Sequence, residues 1–311
     1  MATSGSVNFS LGRNGLIKGA YRLIGVASAS ETLSAEEISN GSEALNLMIK
    51  AWEGQGIHLW KYGEATLFLE VGKESYNIGP SGDHCTLSYV ETALSADEAA
   101  SSTSIDVGSI TGISDGDSLG VVLDDGSIHW DTVSGAPASG TVTITTGLAS
   151  AASADNTVYA YTSKINRPLK VHNVRLEQDN GDETEMLQWA RSDYMLQPSK
   201  STQGTPTQWF YTPSLTNGKL YIWPTTDTVD HVINLTCELP IEDFDNAGDD
   251  PDFPQEWLEA IKWNLAVRLG FEYSVPAQRL ATIEGKAREM LDDALAWDRE
   301  DATIQFAPDF S

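Results

Sequence analysis

The stretch from Ser34 to Gly56, SAEEISNGSEALNLMIKAWEGQG, constrains this chain more than any other, because it marks its own start, its buried face and its end. Ser34 followed by Glu37 is a capping box, in which hydroxyl and carboxylate each satisfy a backbone N–H that the first helical turn leaves unpaired. Ile38, Leu45, Met48, Ile49 and Trp52 then recur at helical spacing on one stripe, with Glu37, Asn40, Glu43 and Lys50 elsewhere on the wheel. Gly54 and Gly56 stop the helix. Any fold for this chain must therefore supply a partner for a face ending in Met48, Ile49 and Trp52.

Upstream, Leu16, Ile17, Ala20, Tyr21, Leu23 and Ile24 repeat at helical spacing and predict a short helix ending near Gly25. The link Ala27 to Leu33 is short, so the two helices are expected to form an antiparallel hairpin. From Tyr62 the period changes to two. Thr66, Phe68 and Glu70 alternate with Leu67, Leu69 and Val71, Gly72-Lys73 reads as a turn, and Ser75 to Ile78 as a second strand before Gly79-Pro80-Ser81-Gly82.

Between about Ala93 and Ser163 the composition shifts to Ala, Ser, Thr, Gly and Asp, and this stretch reads as an insertion. Thr103–Val107, Ser118–Leu123, Ser127–Val133, Thr141–Thr145 and Thr157–Tyr161 predict five short strands, with Asp124-Asp125-Gly126 as a hairpin signal. Ile105, Val107, Leu119, Val121, Ile128, Trp130, Val142, Ile144, Val158 and Tyr159 would give a small sandwich or barrel its core.

Strand-like runs resume at Leu169 to Leu176 and Glu185 to Trp189, Ser192 to Leu196 fits one helical turn, and Ser199 to Gly204 is a polar loop. Thr207–Tyr211, Lys219–Trp223 and Val232–Leu239 are expected to form an antiparallel meander. After the acidic loop Glu242 to Asp252, Pro254 is expected at a first helical position, with Trp257, Ile261, Leu265 and Leu269 at i+4 steps. A last helix is predicted over about Ala277 to Trp297, followed by the tail DREDATIQFAPDFS.

Composition narrows the function classes. With 19 basic and 45 acidic residues in 311, the net charge is −26, which argues against tight wrapping of a polyanion. Cys85 and Cys237 are too few for a disulfide framework and fit buried free thiols in a reducing compartment. MATSGSVNFSLG has neither a basic region nor an apolar run, and no window approaches the ~20 apolar residues of a membrane span, so a soluble chain without a recognisable export signal is expected.

The search for chemistry is largely negative. There is no phosphate loop ending in Gly-Lys-Ser/Thr, no dinucleotide fingerprint, no HExxH and no GxSxG. His58, His84, His129, His172 and His231 do not fall at metal-ligand spacing, and His84-Cys85 is a lone pair best read as structural. A glycosidase carboxylate pair can be drawn anywhere in so acidic a chain, so abundance carries no weight. The loop Asp245 to Asp252 has oxygen ligands for Ca²⁺ but lacks EF-hand spacing and its closing Glu, which favours a solvated loop. Gly12, Gly15 and Gly19 fit plain helix packing. Trp209, Tyr211, Tyr221 and Trp223 could stack bases or sugars, but on alternating strands they fit core or interface better. No catalytic, cofactor-binding or metal-binding residues, and no cofactor, are predicted.

The order of the blocks points further. AYRLIGV at 20–26, LSAEE…ALNLMIKAWEGQGI at 33–57, SYNIGPSGD at 75–83, KSTQGTPTQWFYTPSLTNGKLYIWP at 200–224 and FPQEWLEAIKWNLAVRLGFEY at 253–273 occur in sequence. Taken together, they make the chain resemble the head-to-tail adaptor family of short-tailed bacteriophages, also called tail accessory or packaged-DNA-stabilising proteins. The likeness covers the chain outside about 93–163, and that stretch departs from compact members of the family.

The resemblance implies an α+β fold, a helical bundle built from N- and C-terminal helices plus an antiparallel β layer. The expected domains are a discontinuous adaptor core over 1–92 and 164–297, an inserted small all-β module over 93–163, and an extended tail over 298–311. It also implies a non-enzymatic virion component of the tail or neck, assembled in the host cytoplasm. Such a protein forms a dodecameric ring under the portal, helps retain packaged DNA and continues the channel through which double-stranded DNA passes transiently. It would dock the next tail protein, a nozzle or tail tube, and would involve no membrane. Ile304, Phe306 and Phe310, apolar residues in a polar tail, are the expected portal-docking residues. The alternative class is a carbohydrate-binding or polysaccharide-degrading tail component, suggested by the nine Trp and the β-rich middle.

Overall fold

Helix α1 (Arg13–Ile24) and helix α2 (Ala35–Glu53) form where capping and spacing direct them. The Glu37 N–H donates to Ser34 Oγ at 3.2 Å and the Ser34 N–H donates to the Glu37 carboxylate at 2.7 Å, completing the capping box. Gly25 closes α1 in the left-handed region at φ +78°, which favours glycine. The computed structural model describes residues 5–6, 9–54 and 61–298, so Gly56 and His58 lie outside the described residues. The chain is α+β and divides into two compact units, one of residues up to 61 together with those from 241 onward, the other of residues 62–240.

In the first unit the α2 stripe is buried as its spacing demands, except that Ile38 is only partly covered. Its partner is helix α4 (Leu258–Glu272), and Trp52 meets Trp257 edge-on at 6.0 Å. Pro254 stands just outside a single 3₁₀ turn, Gln255–Trp257, that leads into α4, rather than at the first position of the helix itself. A five-residue helix, α3 (Arg191–Met195), belongs to the other unit. Helix α5 (Ala277–Trp297) covers α4 from a further side.

The expected α1–α2 hairpin gives way to packing around α4, which takes most of α1. The cause is the sequence of α4: Leu258, Ala260, Ile261, Leu265, Ala266 and Leu269 bury it on more than one side, so it becomes the shared centre. Tyr21 of α1 donates to Glu37 O at 3.0 Å and its ring meets Tyr273 edge-on at 5.2 Å.

The second unit has fifteen strands, in chain order β1 (Tyr62–Phe68), β2 (Ser75–Ile78), β3 (Cys85–Thr86), β4 (Val90–Ala93), β5 (Ser104–Asp106), β6 (Ser118–Val122), β7 (Ile128–Thr132), β8 (Thr141–Thr143), β9 (Thr157–Tyr161), β10 (Lys170–Glu177), β11 (Glu183–Glu185), β12 (Leu187–Gln188), β13 (Gln208–Thr212), β14 (Gly218–Trp223) and β15 (Val232–Glu238). A five-stranded sheet, β11-β10-β15-β1-β3, and a four-stranded sheet, β12-β13-β14-β2, share one core. It contains Leu67, Tyr76, Ile78, Val174, Leu176, Trp209, Leu220, Ile222, Ile233 and Leu235.

The expected meander of the last three strands does not form. β13 pairs with β14 while β15 joins the other sheet, and β1 pairs with β15 while β2 pairs with β14. Alternation tells each strand to bury one face but not which side of the core it occupies. The turns at Gly72-Lys73 and after Trp223 carry the chain from one sheet to the other.

Strands β4 to β9 form a separate small barrel. The sheet β4-β9-β6-β7 and the pair β5-β8 are joined by bridges at Leu94–Val107 and Val133–Ile144, which close the six strands around Ile105, Leu119, Val121, Val142, Val158 and Ala160. The segment begins at Val90 rather than 93, because β4 is already paired along β9, Val90 with Ala160 and Ala93 with Thr157. Ile128, Trp130 and Tyr159 are not in its core. They lie on the outer face by strict alternation, grouped with Phe68, Val229 and Val232 of the sandwich. Barrel and sandwich together, residues 62–240, make one compact unit.

Candidate interaction surface

The expected docking residues Ile304, Phe306 and Phe310 lie outside the described residues. Among the described residues no group of three or more His, Cys, Asp or Glu is placed to hold a metal ion. The other features singled out in the sequence each have a physical setting.

His84 and Cys85 point apart. Cys85 enters the sandwich core, where burial pushes its thiol well up, beside Cys237, whose thiol is pushed up to about 12. Neither is a thiolate at neutral pH. His84, paired with Phe68 through its backbone carbonyl, lies on the opposite face against the barrel.

The acidic loop 242–252 is tied down by cations. Arg13 Nη1 donates to Asp245 O at 2.9 Å, Lys50 pairs with Asp243 at 3.0 Å and donates to Ile241 O at 2.7 Å, and Lys61 pairs with Asp252. The Asn246 N–H donates to the Asp249 carboxylate at 2.6 Å, which holds that carboxyl below its usual range. Its oxygens serve the loop itself. Gly12 and Gly19 lie against the Asp249 carbonyl and the Lys262 stem, so they serve close approach in packing.

The aromatic quartet divides by alternation. Trp209 and Tyr211 face the core, where the Trp209 indole N–H donates to Met186 O at 3.1 Å and the Tyr211 hydroxyl to Pro168 O at 2.7 Å. A Cβ at Gly218 would stand 1.8 Å from that hydroxyl, so only glycine lets Tyr211 cross β14. Tyr221 and Trp223 face outward under α3. Tyr221 stacks on Phe210 at 4.4 Å, Tyr194 covers both, and Trp223 stacks on Trp189 at 5.6 Å while donating to Ser199 O at 3.0 Å. These rings are occupied by one another.

Around these rings aliphatic side chains remain open. Leu187 on β12, Met195 and Leu196 at the end of α3, and Leu215 at the β13–β14 turn are exposed, Leu196 by 81% and Leu215 by 97%. Their signal in the sequence is slight, a Met-Leu pair ending a short polar helix and a lone Leu in a turn of Pro, Ser, Thr and Asn.

A second surface is electrostatic. Along the seam between barrel and sandwich lie two hollows, one of about 630 Å³ lined by Asp124, Asp125, Asp227 and Asp230. The other, of about 330 Å³, is lined by Glu91, Glu177, Asp179 and Asp230. Burial, then the neighbouring Glu177 and Asp179, pushes the Glu91 carboxyl up. No Lys or Arg is among the described residues lining either hollow.

No family model matches the chain, and no curated protein matches it.

Proposed function

We propose that this chain is a structural head-to-tail adaptor of a short-tailed phage, a dodecameric ring under the portal that continues the DNA channel, helps retain packaged DNA and docks the next tail protein. The observation that supports it is where the five resembling blocks fall. They supply the end of α1, all of α2, β2 with its turn, the β13–β14 hairpin with the loop before it, and α4 with the turn leading into it. The blocks are thus frame elements of both units, while the stretch where the likeness lapses has its own core, and its first and last strands, β4 and β9, pair with each other. On this reading the barrel is an all-β insertion in an adaptor whose helices form its bundle.

The chemistry of the surface fits a conduit. Acidic hollows without cations repel phosphates, so a duplex slides past rather than binding. Exposed Leu187, Met195, Leu196 and Leu215 suit protein contacts, and the tail with Ile304, Phe306 and Phe310 is assigned to the portal. The carbohydrate reading has less support, because Trp52, Trp209 and Trp257 are buried and Trp189 and Trp223 stack on each other.

The test is the mass of the purified protein, alone and mixed with the portal rings of its own phage. A portal-dependent shift to a twelve-copy assembly is expected, and it should be lost in a chain truncated after Asp298 that keeps normal stability. A monomer indifferent to portal that degrades host polysaccharide would overturn the reading.

A further inference from the structure

The contact between barrel and sandwich has one histidine at its centre. Phe68, His84 and Val232 form one corner of the five-stranded sheet's outer face, and Trp130, Tyr159 and Tyr161 of the barrel cover it, with Tyr89 beside them. The His84 ring lies flat on Trp130 at 3.9 Å and 8°, and its Nδ1 is 2.6 Å from the Tyr161 hydroxyl. Gly120 makes the seat possible, since a Cβ there would stand 2.7 Å from the Trp130 ring. We propose that this joint is an acid-sensitive latch, in which protonation of His84 frees the barrel from the sandwich while each keeps its own fold.

The hydrogen bond fixes the chemistry. Burial pushes the Tyr161 phenol up to about 12, so it stays protonated and can donate to Nδ1 of a neutral His84. In that arrangement the neutral ring carries its own proton on Nε2. A proton arriving at Nδ1 would face the phenol proton and remove the acceptor.

The charges around the ring oppose that proton. Burial comes first and Lys164, three residues beyond β9, second; together with Lys73 they hold His84 down to about 4. Asp83 pulls the other way, but its carboxylate already binds Lys73 at 2.9 Å and the Asn77 N–H at 2.7 Å, and Lys73 is further paired with Glu70. Cys85, Tyr89 and Tyr159, all pushed up, stay neutral in the same range. The attraction of a cationic ring for the Trp130 face offsets only part of this.

The sign follows. The closed joint binds the proton more weakly than the open one, where His84 returns to about 6.5, so closure is fully favoured above pH 6.5 and weakens as pH falls toward 4. The separation of 2.5 units allows a shift of about 300-fold toward the open form. The barrel core around Val121 and Val142 and the sandwich core around Leu220 and Ile233 lie away from the joint, so opening need not unfold either.

Two measurements test this on the full chain. Hydrogen exchange from pH 7 to 4, corrected for intrinsic rates, should rise selectively in segments at Phe68, Tyr89 and Tyr159, but not in β8 or β14. His84→Phe keeps a flat ring on Trp130 without a titrating nitrogen and should abolish the rise, whereas His129→Gln and His231→Gln should not. An unchanged response in His84→Phe, or exchange that rises everywhere together, overturns the latch. Should His84→Phe fail to fold, carbon-13 histidine spectra of the unaltered protein decide: titration near 4 supports the latch, and titration near 6.5 overturns it.

Discussion

The sandwich and the barrel are both antiparallel β structures within one unit, yet they are held together differently. Sandwich strands run to eight residues in β10 and seven in β1 and β15, and bury Trp209, Tyr76, Leu220 and Ile233 between two sheets. Barrel strands run from three to five residues over β5 to β9 and enclose small aliphatics. Carboxylates make up the difference. Asp97, Asp115, Asp117 and Asp124 accept the N–H groups of Ala154, Gly135, Ser114 and Ser153 at 2.7 to 2.8 Å, and Glu98 accepts that of Asp106 at 2.8 Å. In the sandwich, acids also bind cations, as Arg175 bridges Glu64 and Glu183. The net charge of −26 thus has two meanings, and much of it in the barrel is turn chemistry rather than free surface charge.

The largest expected effect lies in the sandwich. Trp209→Ala removes a side chain 2% exposed together with its bond to Met186, and loss of a buried Trp costs ~3–5 kcal/mol from transfer and cavity together. Urea unfolding followed at sandwich-core amides should show it. A cost below ~1 kcal/mol would mean that the sandwich, like the barrel, is held mainly by its turns.

The matching change in the barrel is Glu98→Ala. Its carboxylate is 9% exposed and accepts from both the Asp106 N–H and Ser102 Oγ, so truncation strands two donors and should cost ~1–3 kcal/mol. Glu98→Gln keeps an acceptor and should cost less. Equal losses in the two variants would show that charge, not the bond, is what matters.

These contrasts explain what was legible in the sequence. The α2 capping box, the stop at Gly25 and the span of α5 are local signals, and the structure follows them. Strand positions were nearly as legible, with β2 and β9 at the predicted residues. Sheet membership was not, because period-two alternation is identical for strands on opposite sides of one core, which misplaced β15 in a meander with β13 and β14. The joint at His84 was illegible for a related reason: Trp130 and Tyr159 read as core, and nothing local says that they face outward onto a residue far away in sequence. Leu187, Met195, Leu196 and Leu215 were missed because single exposed aliphatics carry no periodic signal.

Acid should separate the two regions by mechanism. Asp124 is held below its usual range by the Ser153 N–H, Asp125 by the Ser127 hydroxyl and N–H, and Asp131, although burial opposes it, by the Thr146 and Thr132 N–H groups. Glu64, likewise opposed by burial, is lowered by Arg175 and Thr236. With folded values depressed, each contribution is complete above the unfolded value near 4 and is lost as pH falls through the folded one. Salt distinguishes the two sets, because 1 M NaCl screens the exposed Arg175 pairs but does little to a local N–H bond. The expected result is a salt-sensitive acid transition in the sandwich and a salt-insensitive one in the barrel, read by amide signals from each. Equal salt sensitivity would erase the distinction.

The smallest effect on stability should carry the largest effect on assembly. All of the exposed large apolar residues of the second unit lie outside the barrel, among them Leu187, Met195, Leu196 and Leu215. A side chain 81% exposed contributes little to folding, so Leu196→Ser should change stability by no more than ~0.5 kcal/mol, and Leu215→Ser should do the same. If the sandwich is the contact surface and the barrel the solvated one, these two variants should weaken ring or tail-protein association while melting like the parent. Ser134→Ala, at an exposed position on the barrel, should do neither. Native mass spectra at equal concentration read the outcome directly. Full assembly by both leucine variants would remove the sandwich edge from the interface and leave the helical unit or the tail beyond Asp298 as the contact.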